Sequence, residues 1–68
     1  MDAFEQLIEE KNSLMMDRLS GKPLDFSKLR EAATAFAKQS GEQLNVTGTD
    51  AELWKSVITY LRSLLKES

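Results

Sequence analysis

The sequence contains no cysteine, no histidine and only one proline among 68 residues. Without cysteine there is no disulfide, no thiolate zinc site and no thiol nucleophile. Without histidine the commonest general base and transition-metal ligand is missing. Packing alone must then hold the fold, in a chain so short that a monomer buries only about 60% of its unfolded surface. Long hydrophobic runs are also absent. No stretch approaches the ~18 apolar residues of a membrane span. The opening Met1-Asp2-Ala3-Phe4-Glu5 lacks the basic and apolar regions of a secretory signal, so a cytoplasmic protein is expected.

Charge is nearly balanced, with eleven acids against nine bases and a net charge of −2. That balance argues against nucleic-acid binding by bulk charge, and it is too small for an acidic mimic of DNA. Enzyme signatures are missing as well: there is no nucleophile elbow, no G-x-x-x-x-G-K-[ST] loop, no H-E-x-x-H and no EF-hand loop. Ser20-Gly21-Lys22-Pro23 has a superficial likeness to a phosphate loop, but its first glycine is missing and Pro23 blocks a following helix. Glu5 and Glu9 stand one helical turn apart, a spacing far commoner on a solvated face than in a metal site. Asn45-Val46-Thr47 has the form of a glycosylation sequon, which carries no weight without a secretory signal. No catalytic residue, cofactor or metal is expected.

What the chain does have is helical periodicity. The stretch from Asp50 to Ser68 carries Leu53, Trp54, Val57, Ile58, Tyr60, Leu61, Leu64 and Leu65 at helical spacing. At 100° per residue they cover an arc of about 160°, wider than the roughly 100° stripe needed to dock on one neighbour. Such a helix requires two neighbours, or one neighbour and a partner molecule. Thr49-Asp50-Ala51-Glu52 matches a capping box at its start. Its acids come first and its bases last, as the helix dipole favours.

A first helix is predicted over 2–19, with Phe4, Leu7, Ile8, Leu14, Met15 and Leu19 on one face. Lys11 and Arg18 interrupt that face. Either they lay alkyl stems over the core with their charges in water, or they pair with acids on a neighbouring helix or subunit. Met16 projects to the polar side and is a candidate contact residue. Ser20 to Leu24 reads as a turn, with Gly21 suited to a left-handed cap and Pro23 preventing continuation.

Asp25 then serves as N-cap of a second helix predicted over 25–42, with Leu24 and Leu29 spaced as a hydrophobic staple. Phe26, Leu29, Ala32, Ala33, Phe36 and Ala37 share a face, with Ser40 among them. The helix should end between Ser40 and Leu44, at Gly41 or after it. A loop over 45–48 leads to the third helix, at 50–67.

The expected fold is therefore all-α, a single domain over 1–68 forming an antiparallel three-helix bundle. A homodimer in which a second copy completes an elongated hairpin is the alternative architecture. The preferred functional reading is a non-enzymatic protein-protein interaction module: a small adaptor, regulator or inhibitor that binds another protein. Its candidate surface is the flank of the third helix, formed by Leu53, Lys55, Ile58, Tyr60 and Arg62, together with Met16. Trp54 is expected in the core, and Tyr60 at an interface rim. The alternative is a small nucleic-acid-binding regulator using the row Lys55, Arg62 and Lys66. Against it, the 45–49 connection is longer than a helix-turn-helix turn and no Arg/Asn/Gln cluster marks a recognition face.

Overall fold

A computed structural model describes residues 2–67, with no side-chain detail for Glu67. Three helices follow in order, α1 (Ala3–Leu19), α2 (Ser27–Ser40) and α3 (Asp50–Glu67), and there is no strand among the described residues.

Local chemistry sets each boundary. The carboxylate of Asp2 accepts from the Glu5 N–H at 2.8 Å and caps the start of α1. The other end closes in a Schellman arrangement. Gly21 is left-handed at φ 73, its N–H donates to the Arg18 carbonyl, and the Lys22 N–H donates to that of Asp17.

Helix α2 starts later than predicted, and its end falls within the predicted range. It begins at Ser27, after Phe26 at φ −87 and ψ 0, although the Asp25 carboxylate still accepts from the Ser27 N–H at 3.0 Å. It ends at Ser40, because Gly41 turns left-handed at φ 75 and donates to the Ala37 carbonyl. Leu44 belongs to the loop and packs against the core from there.

The start of α3 is the predicted capping box. The Glu52 N–H donates to the Thr49 hydroxyl at 3.2 Å, and the Glu52 carboxylate accepts from the Thr49 N–H at 3.0 Å.

The core joins Leu7 and Leu14 of α1 to Leu29, Ala32, Ala33 and Phe36 of α2 and to Leu53 and Val57 of α3. Each large aliphatic side chain enclosed there contributes roughly 1.5–3 kcal/mol. Helices α1 and α2 are the most closely packed pair, and the alanines on the buried face of α2 leave room for close approach. Phe36 ties the three helices together. Its ring centroid lies 5.6 Å from Phe4 near the start of α1 and 5.4 Å from Tyr60 of α3. Phe26, just ahead of α2, meets Trp54 edge-on at 6.2 Å. Helix α3 therefore touches the α1–α2 hairpin near both of its ends.

Candidate functional site

Helices α1 and α3 each bury less of their apolar arcs than the arcs offer. On α1 the Leu7/Leu14 edge is enclosed, whereas Met15 is 45% exposed and Leu19 83% exposed. Both were expected on the core face. They lie on its other edge, and Lys11 and Arg18 separate the two edges. On α3 the burial is shifted in the same way: Leu53 and Val57 are fully enclosed, while Trp54 and Ile58 are half-buried and Leu65 is exposed. Leu65 stands in the last two turns, beyond the core.

The unused parts of the two arcs converge. Leu14, Met15, Arg18 and Leu19 of α1 line a groove of about 590 Å³ together with Trp54, Ile58 and Arg62 of α3 and Leu24 and Phe26 of the connecting segment. Leu24 is 42% exposed and lies outside the core, so it serves the groove, although its spacing suggested a staple. Arg18 is exposed and Lys11 half-buried, and neither forms an ion pair among the described residues.

Of the six residues expected at a contact surface, Leu53 is enclosed and the other five are half-buried or exposed. Leu53 is withdrawn from it altogether. It sits at 0% exposure in the core because α3 turns its Leu53/Val57 edge inward, so it cannot touch a partner. Ile58 and Arg62 line the groove. Lys55 and Tyr60 line a separate, more polar depression with Gln43, Leu44, Asn45 and Thr59. Met16 is 63% exposed and lines neither. Trp54 is only half-buried: it packs against the core and also lines the groove. Of the basic row, all three members are exposed and only Arg62 reaches the groove.

Met15, Leu19 and Leu24 are exposed groove residues that the sequence did not mark as a contact surface. The signal that pointed toward them was the excess width of the final helix, which could not say on which side the excess would fall.

The loop between α2 and α3 is held by polar contacts. Arg30 donates to the Val46 carbonyl and pairs with Asp50 at 2.9 Å. Asn45 accepts from the Gly48 N–H through its side chain, and its own N–H donates to the Ser56 hydroxyl at 3.0 Å. Hydrogen bonding lowers two carboxyl pKa values here. Asp25 falls below its ordinary 3.8 chiefly through the Ser27 N–H, and Glu52 below its ordinary 4.5 chiefly through the Thr49 N–H. Both belong to helix starts and neither lines the groove.

Among the described residues no cluster of three or more His, Cys, Asp or Glu side chains is placed to hold a metal ion. No described helix is long and apolar enough to cross a membrane. No protein-family model matches the chain, and neither a curated protein nor a solved structure is significantly similar to it.

Proposed function

We propose that this chain is a non-enzymatic protein-interaction module that binds another protein through the α1–α3 groove. One observation carries the reading: Met15, Leu19 and Leu24 are exposed by 45%, 83% and 42% around a groove floored by Leu14, Phe26, Trp54 and Ile58. Scattered exposed apolar residues are ordinary, but a contiguous group of them beside a concave surface marks interaction sites. The groove offers a partner shape and apolar area, and among the described residues its lining holds no acid, base of variable charge or nucleophile suited to catalysis.

The test compares wild-type protein with Leu19→Glu as bait, because Leu19 is exposed enough for the change to leave folding intact. A protein that is captured by the wild type, lost with Leu19→Glu and retained with the distant Lys38→Glu supports the groove as its site. Capture unaffected by Leu19→Glu overturns it. Light scattering of the purified chain over a concentration series separates self-association from binding of a different protein.

The nucleic-acid alternative rests on the exposed row Lys55, Arg62 and Lys66. It predicts duplex or single-strand binding that weakens steeply with salt as counterions are released. Absence of such binding at low salt eliminates it.

A further inference from the structure

We infer that the occupant of the groove is an amphipathic helix of another protein whose flanks carry aspartate and glutamate; this rests on the proposed binding function. Charge is the first argument. The chain has a net charge of −2, yet among the described residues Arg18 and Arg62 are the only charged ones lining the groove. Both guanidinium groups are exposed and without an ion pair among the described residues. Asp25, Glu31 and Asp50 line a separate depression that shares Leu24 and Phe26 with the groove, and there Asp50 is already paired with Arg30. An acidic chain that presents only arginine at its apolar groove is complementary to an anionic partner, and guanidinium forks hold carboxylates with defined geometry.

Shape and chemistry of the walls supply the second argument. The groove is walled by α1 and α3 with Leu24 and Phe26 of the connecting segment, and among the described residues there is no sheet edge to receive an extended strand. Helix-in-groove docking, with apolar anchors about one turn apart, is the mode that fits. Met15 at the rim suits such a partner, because an unbranched thioether adapts to an incoming side chain.

Trp54 is the only tryptophan in the chain and lines the groove, so its emission reports occupancy directly. The experiment titrates the full chain with two synthetic helical peptides that share one leucine and phenylalanine stripe, one flanked by glutamate and the other by lysine. The glutamate peptide should shift Trp54 emission to the blue saturably, binding about tenfold or more tightly than the lysine peptide and weakening with salt. Arg18→Glu/Arg62→Glu, at two exposed positions, should reverse the preference while leaving the circular dichroism unchanged, and Leu19→Glu should abolish both responses.

Equal affinity for the two peptides, lost with Leu19→Glu, overturns the acidic partner while leaving the groove as a binding site. Equal affinity that survives Leu19→Glu overturns the groove as well. A blue shift produced by raising the protein concentration alone assigns the groove to a second copy. A response to phosphatidylserine vesicles and to neither peptide assigns it to a lipid surface. Either of those last two results overturns the inference, as does the absence of any Trp54 response.

Discussion

Arg30 of α2 and Asp50 at the start of α3 form an ion pair of 2.9 Å between residues 20 positions apart in the chain. The carboxylate is largely exposed and the guanidinium partly so, with 62% and 30% side-chain exposure, so solvent screens their attraction. The same guanidinium also donates to the Val46 carbonyl in a part-buried contact, which anchors the loop. Arg30→Ala should therefore lower the unfolding free energy by about 1–2 kcal/mol, and Asp50→Asn by less than about 0.5 kcal/mol. Urea denaturation of the two variants measures the difference. Equal losses would show that the loop carbonyl contributes little.

The capping box makes a second prediction. Thr49→Ala should cost about 1 kcal/mol, because the Glu52 N–H loses its side-chain acceptor. Glu52 also gives the fold a pH dependence. Its pKa is lower when folded, so its stabilising effect is complete above the unfolded-state value and is lost as the pH falls through the lower folded-state value. Asp25 acts in the same sense. Melting temperatures taken stepwise down from above pH 4.5 should fall, and the slope should be shallower in Glu52→Gln.

Leu53 and Leu65 stand on one helix and differ in burial, at 0% and 77% exposure. Leu53→Ala should cost about 2–5 kcal/mol, enough to unfold much of a domain this small. Leu65→Ala should stay within about 0.5 kcal/mol of the wild type. A binding defect in Leu53→Ala would thus report lost folding rather than a lost contact, and circular dichroism would show it.

Gly41 ends α2 at φ 75 with open space where a Cβ would stand. The cost of Gly41→Ala is therefore backbone strain alone, about 1 kcal/mol, read as a lower urea midpoint at unchanged m-value. A neutral result would mean that the helix continues past Gly41 in the variant.

Leu19→Glu should leave the melting temperature within a few degrees of the wild type, since the side chain is 83% exposed. Its effect should fall on binding. A large loss of stability would place Leu19 in the core and remove the groove's rim.

The helical class, the three elements and most of their ends were legible in the sequence because local chemistry decides them. Asp2 and the Thr49/Glu52 box cap helices with side chains a few residues away, and Gly21 and Gly41 end helices through their own backbone freedom. The end of α2 could be bounded only between Ser40 and Leu44 because Leu44 returns to the right helical angle, a pattern that a loop residue folding back on the core also satisfies.

What only the tertiary structure decided is the rotation of each helix about its own axis. Hydrophobic periodicity defines an arc, and where that arc exceeds the seam a neighbour covers, many rotations bury similar area. Here packing around Phe36 and the small side chains of α2 turned Leu7/Leu14 and Leu53/Val57 inward. That choice withdrew Leu53 from the surface and left Met15, Leu19, Trp54 and Ile58 around one groove. The sequence alone determined that apolar surface would be left over; contacts between residues far apart in the chain determined where.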